Sequence, residues 1–213
     1  SNLIAPHGGK GLVCALLEGA ALEAEKQKAA GLKQLSISGR ENGDLIMMGI
    51  GGFSPLNGFM GKASWKRVCE EYLLEDGTFW PIPVTLSADK ADADAINIGD
   101  EIALVNPDGE TMATMKVEEK FEMSEADKKW ECEKCYKGKG EESADDKFWE
   151  IAMEDHPGVQ MVMGQKDVNL AGPVKVLGEG DFRERFPGVY MSPAESRAIF
   201  EKKGWSTIAA LQL

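Results

Sequence analysis

The sequence is short of the residues that most often announce chemistry. Two histidines, His7 and His156, and four cysteines, Cys14, Cys69, Cys132 and Cys135, are spread over 213 residues. Four cysteines in a chain of this length are too sparse for a disulfide framework. His7 has neither a nucleophile nor a carboxylate beside it, and His156 follows Asp155 but has no nucleophile near it in sequence, so no triad is written locally. Each sits in a Pro/Gly turn, APHGG and DHPGV, where a turn-stabilising hydrogen bond is the expected role. No apolar run is long enough to span a bilayer, and the first residues, SNLIAPHGGKG, lack the basic start of a secretory signal. These absences predict a cytoplasmic protein. Positive charge is also scarce: 24 Lys and Arg against 36 Asp and Glu leave a net charge of -12, which argues against nonspecific nucleic-acid binding. An anionic small molecule remains acceptable, because a pocket needs only a few local donors.

Apolar residues are plentiful. At 43% hydrophobic, with five tryptophans, the chain can bury a core of one large domain or of one domain plus part of another.

The stretch GIGGFSPLNGFM, residues 49–60, invites a phosphate-loop reading and fails it. A Walker loop needs GxxxxGK[ST], which the chain lacks, and Ser54 stands where a dinucleotide fingerprint requires its third glycine. The next helical pattern begins about ten residues on, too far for a helix N-terminus to face a phosphate held here. The glycines are expected to supply positive φ, with Phe53, Leu56, Phe59 and Met60 pinning the loop to the core.

Residues 17–32, rich in Ala, Glu and Lys and stopping at Gly31, predict a surface helix. Residues 32–50 contain two apolar runs around Glu41-Asn-Gly-Asp and predict a hairpin. In KASWKRVCEEYLL, Trp65, Val68, Cys69, Tyr72 and Leu73 fall on one helical face that should be buried, with Cys69 as inert core. DGTFWPIPVTLSA predicts a strand whose Pro81 and Pro83 place it at an edge. INIGDEIALVNPDGETMATMKVEEKFEM predicts two strands about the turn at Asn106, with Met115 and Val117 turned inward. The first 125 residues therefore indicate an α+β or partly closed barrel arrangement.

Residues 124–155 are dense in charge and predict an insertion. Within it Cys132 and Cys135 form a CxxC with the spacing of half a zinc site, but no second CxxC follows and the nearest further ligand is His156. The expectation is a plain or weakly redox-sensitive surface pair, with a metal completed elsewhere and a redox switch as open alternatives. No βαβ pattern surrounds the pair as a thioredoxin-type role would require. Residues 156–182 predict short strands broken by Gly and Pro.

SPAESRAIFEKKGW signals a helix at both ends: Ser192 as N-cap, Pro193 at its first position, Glu195 closing a capping box, Gly204 past the end. WSTIAALQL, without alternation, predicts a strand buried on both faces in a parallel sheet. A helix leading into such a strand is the entry to an α/β domain, so the chain is expected to be a fragment, with Gln212 and Leu213 at the lip of a ligand site.

Six blocks carry a resemblance over the whole length: PHGG at 6–9, FSPLNGFM at 53–60, DGTFWPIPVTL at 76–86, HPGV at 156–159, GPVKVL at 172–177 and SPAESRAIFEKKGWSTIAALQ at 192–212. In this order they resemble the ATP sulfurylase (sulfate adenylyltransferase) family. The resemblance implies a PUA-like, β-barrel-type N-terminal domain over residues 1–176. Residues 177–213 would be a linker and the first helix and strand of a Rossmann-like nucleotidyltransferase domain. It implies ATP and sulfate as substrates, adenosine 5'-phosphosulfate and pyrophosphate as products (the reverse in dissimilatory sulfur metabolism), Mg²⁺ on the phosphates and a homo-oligomer. Gln212 matches the family's sulfate-contacting glutamine; Leu213 stands where many members have threonine. The family's arginine, asparagine and histidine motifs do not occur, so this chain alone is expected to be inactive. The CxxC insertion departs from the family pattern. A stand-alone RNA-binding module of the PUA type and a structural or oligomerisation piece are the competing readings, the first opposed by the acidic charge.

Overall fold

A computed structural model of the chain describes residues 2–136 and 155–210. The chain divides into two compact units: residues 1–59, 99–117 and 172–213, and residues 60–98 and 118–171.

In the first unit α1 (Gly19–Ala29) leads to β1 (Lys33–Ser36) and α2 (Gly39–Gly49). β2 (Gly58–Phe59) follows, then β4 (Glu101–Val105) and β5 (Thr111–Lys116), with α7 (Phe182–Arg185) and α8 (Pro193–Lys202) towards the end. β1 lies parallel to β4, β4 antiparallel to β5, and β5 antiparallel to β7 (Val168–Val176) through Val174–Val176. β2 pairs antiparallel with Gly172 and Pro173 of β7. The strands around the Asn106 turn form the expected hairpin, with Met115 and Val117 buried. Its turn is closed by the Asn106 Oδ1, which accepts from the amides of Asp108 and Glu110.

The second unit holds α3 (Lys62–Glu71), β3 (Leu86–Ala88), α4 (Lys90–Asp94), β6 (Glu119–Glu122), α5 (Glu125–Cys135) and α6 (Pro157–Met163). Residues Val168–Ala171 of β7 belong here, paired antiparallel with β3 on one side and β6 on the other. β3 has β7 as its strand partner, as an edge position requires, although Pro81 and Pro83 precede the strand instead of lying in it.

Several expectations are overturned. Residues 32–50 are not a hairpin: β1 is a strand, but α2 is a helix containing Asn42 and Gly43. Ser38 and Glu41 form a capping box, which fixes a helix start, and Glu41, Leu45, Met48 and Gly49 then repeat at helical spacing on the buried side. Tyr72 is not on the buried face of α3. It is the helix's C-cap in the left-handed conformation (φ 57°), which turns the ring outward, while Trp65, Val68 and Cys69 are buried as expected.

The charged segment from Ser124 opens as helix α5, capped by the reciprocal Ser124 and Asp127 pair. Its buried face is polar but partnered. Lys128 Nζ donates to the Gln165 carbonyl and pairs with Asp167, and Glu131 accepts from Trp65 Nε1 at 2.6 Å. Residues 156–182 contain helix α6 and the single long strand β7 instead of several short strands; His156 caps α6. Helix α8 forms as its capping signals require. Residues 205–210 are exposed and irregular, not a buried strand. A central strand needs neighbours on both edges, and no described strand pairs with this run.

Candidate functional site

The first unit gathers four of the six sequence blocks, and the contacts show why their residues are what they are. PHGG is a turn closed by Gly9 N–H donating to the Pro6 carbonyl at 3.0 Å, with His7 inside it. Gly8 is in the left-handed region (φ 85°), and a side-chain carbon there would stand 3.2 Å from Pro55 Cγ, so the turn seats against the FSPL segment.

Ser54 is the hub of that segment. It is buried, its hydroxyl donates to the Gly51 carbonyl at 2.7 Å, and its oxygen accepts from Val13 N–H at 2.9 Å. Of the four glycines expected to supply positive φ in residues 49–60, Gly51 does so, at 81°, whereas Gly49 is the last residue of α2 and Gly52 and Gly58 lie outside that region. Gly58 answers a different need: an added Cβ would lie 2.1 Å from the Gly172 carbonyl oxygen. Glycine is therefore required where β2 of the FSPLNGFM block meets the GPVKVL block on β7. The strand signal alone does not reveal this close approach; it depends on which two strands pair.

The fourth block is tied to the chain's beginning. Arg197 of α8 donates to the Ile4 carbonyl at 2.7 Å, and Ile4 N–H donates to the Ser206 carbonyl at 3.2 Å. Around α8, Arg183 forms a two-pronged pair with Glu195 and also bonds Glu179, which holds the Glu195 carboxyl well down, at about 2. Beyond these contacts the segment presents apolar side chains to solvent: Phe186, Val189 (81% exposed), Met191, Trp205 (46%) and Ile208. Such a concentration exceeds the scattered singles normal on a surface. Gln212 and Leu213, the residues matched to a substrate site, lie outside the described residues.

The second unit holds the cysteines of interest. They are not the surface pair the sequence suggested. Cys132 is 1% exposed among Val159, Val162, Tyr136 and Met163, whereas Cys135 is half-buried and packs against the cluster of Trp65, Cys69, Phe121 and Met123. Helix α5 lies between two packed groups and gives one thiol to each. Burial, then the carboxylate of Glu131, pushes the Cys132 thiol up. His156 Nδ1 accepts from Gly158 N–H at 3.0 Å, the turn hydrogen bond expected of it, and its ring lies 4.9 Å from that of Tyr136. Among the described residues no group of three or more His, Cys, Asp or Glu side chains is arranged to hold a metal ion. No described helix is long and apolar enough to cross a membrane.

Short helices and a mixed sheet built mainly on antiparallel pairs, each unit with its own packed residues, define an α+β protein. The chain belongs to the PUA-like domain family, which matches residues 4–179. It is 68% identical over its whole length to a sulfate adenylyltransferase of Desulfatibacillum aliphaticivorans, and 67% identical to one of Desulfovibrio desulfuricans. In each case it covers 50% of the relative, so the chain spans about half the length of the curated relatives it matches. Among solved structures, the chain described as a hexameric APS kinase from Thiobacillus denitrificans superposes with a TM-score of 0.67 at 27% identity, over 96% of this chain and 32% of that one.

Proposed function

We propose that this chain is the N-terminal half of a sulfate adenylyltransferase, which joins ATP and sulfate into adenosine 5'-phosphosulfate and pyrophosphate, or runs in reverse. The observation that carries this is whole-length identity of 68% and 67% to proteins of that name that are twice as long. On this reading residues 1–176 are the PUA-like, barrel-type domain and residues 177–213 lead into the nucleotidyltransferase domain. The exposed apolar residues between 182 and 208 then become the face covered by the rest of the protein. WSTIAALQL takes its strand form only beside partner strands supplied from there.

In the reaction a sulfate oxygen attacks the α-phosphorus of ATP and pyrophosphate leaves in line, so catalysis is a matter of positioning and of charge stabilisation. Gln212 is assigned to the sulfate, by an amide that donates to an anion without adding charge; Leu213 follows it as an apolar neighbour. Mg²⁺ travels on the nucleotide phosphates in this scheme. The described residues offer no cluster of ligands for it, and none is assigned to it. The remaining elements of the proposal are a cytoplasmic location and a homo-oligomer, the latter in keeping with the hexamer named for the APS kinase neighbour.

The test is formation of ATP from adenosine 5'-phosphosulfate and pyrophosphate by the full-length protein, with the isolated 213-residue chain inactive. Gln212→Ala in the full-length protein is expected to raise the KM for sulfate at least tenfold. Absence of ATP formation by folded full-length protein refutes the assignment.

A further inference from the structure

The CxxC that the sequence presents as a unit is divided by the fold, and one of its members acquires a different partner. Cys135 Sγ lies 4.0 Å from Cys69 Sγ, across a sequence separation of 66 residues. We propose that Cys69 and Cys135, and not Cys132 and Cys135, form a reversible disulfide that ties α3 to α5.

The surroundings hold both thiols in place. Trp65 and Trp130 pack with ring centroids 5.2 Å apart, the Trp65 indole N–H donates to Glu131, and the Tyr72 hydroxyl donates to the Lys134 carbonyl at 2.7 Å. These contacts link α3 and its C-cap to the last turns of α5, so the sulfur pair sits between elements already fixed on both sides. Bringing two sulfurs from 4.0 Å to a bond of about 2.05 Å is within the reach of side-chain rotation when the backbones are so held. Cys132, by contrast, is committed to the packing against α6.

Access decides the order of events. Cys69 is 1% exposed and Cys135 is half-buried at the end of α5, so Cys135 meets the oxidant. With a small dialkyl disulfide such as oxidised glutathione, the Cys135 thiolate attacks one sulfur and expels one glutathione thiolate, leaving a mixed disulfide. Cys69 then gives up its proton, its sulfur attacks Cys135 Sγ, and the second glutathione thiolate leaves. Two protein thiols and one disulfide become one protein disulfide and two glutathione thiols. The thiol contact with Cys135, burial, and the carboxylates of Glu131 and Glu70 all keep Cys69 protonated. Cys69 therefore does not start the exchange, and closure follows engagement of the more exposed Cys135.

Trypsin separates the alternatives, because Lys134 lies between the two cysteines of the motif. Cleavage places Cys69 in residues 68–90, Cys132 in residues 130–134 and Cys135 in residues 135–137. Folded chain carrying Cys14→Ser is incubated with excess oxidised glutathione, alkylated, digested and read by mass spectrometry. The expected product joins residues 68–90 to residues 135–137 with loss of two hydrogens. It reverts with dithiothreitol, persists in Cys132→Ala and is absent from Cys69→Ala. A link between residues 130–134 and 135–137, a stable glutathione adduct on Cys135 without closure, or no oxidation of Cys135 each overturns the proposal.

Discussion

Ser54→Ala is the sharpest perturbation of the first unit. The hydroxyl makes two bonds inside the protein, donating to Gly51 O and accepting from Val13 N–H, and the residue is 5% exposed. Alanine fills nearly the same space, so packing is preserved and the hydrogen bonds alone are lost. A typical buried hydrogen bond contributes about 1 kcal/mol net, and an abandoned partner costs about 1–3 kcal/mol. The Gly51 carbonyl keeps the main-chain N–H of residue 54, which donates to it at 3.2 Å, and Val13 is half-buried, so water can reach its amide. Neither partner is left dry and unbonded, so the loss is that of two hydrogen bonds, about 2 kcal/mol. With a urea slope of about 2 kcal/mol per molar, the midpoint should fall by about 1 M with the slope unchanged. Amide exchange at Val13 should accelerate by about thirtyfold, as expected of about 2 kcal/mol. A loss of under about 0.5 kcal/mol, with Val13 still protected, would refute the claim that Ser54 organises this loop.

Asp44 is 16% exposed beside Arg40 and Glu41, and burial lifts its carboxyl from the ordinary 3.8 to about 6, with Arg40 opposing and Glu41 adding to the rise. The folded chain keeps that proton where the unfolded chain has released it, so stability falls as pH rises from about 4 to about 6, by about 3 kcal/mol at most. Asp44→Asn should flatten that slope in urea titrations and stabilise the protein at pH 7 by about 1–2 kcal/mol, the loss of a charged partner for Arg40 taking back the rest; an unchanged slope counts against it. Gly58→Ala forces a carbon into the Gly172 carbonyl and should cost about 3 kcal/mol, seen as a lowered melting midpoint, and a neutral effect would mean that β2 does not lie on β7. Trp65→Phe keeps a ring against Phe121 and Trp130 but takes the indole N–H from the buried Glu131, so a loss of about 2 kcal/mol is expected by denaturant titration.

Legibility followed the range over which each signal acts. The capping box at Ser192 and the Asn106 turn were readable because three or four adjacent residues settle them, and the Trp65, Val68 and Cys69 side of α3 because apolar residues recur there at helical spacing. The same kind of signal stands at Ser38 and Glu41, and the turn preference of Asn42-Gly43 yields to the capped helix once Leu45 and Met48 have a core to enter. Helix α5 was hidden for another reason. Its inward residues Lys128 and Glu131 look like surface until their partners Gln165, Asp167 and Trp65 arrive from elsewhere in the chain.

By itself the sequence determined the capped helix that starts after Ser192, the Asn106 turn, the need for a left-handed glycine in the 49–60 loop and, through six ordered blocks, the family resemblance. Only the tertiary structure decided which distant residues meet: Gly58 with Gly172, Gly8 with Pro55, Arg197 with Ile4, and Cys135 with Cys69 instead of Cys132. Backbone conformation and capping are set by neighbours a few residues apart, so they are written locally. The pairing of strands and the direction each helix face takes depend on what packs against them, and a CxxC on a helix between two clusters shows how far that can depart from the spacing in the chain.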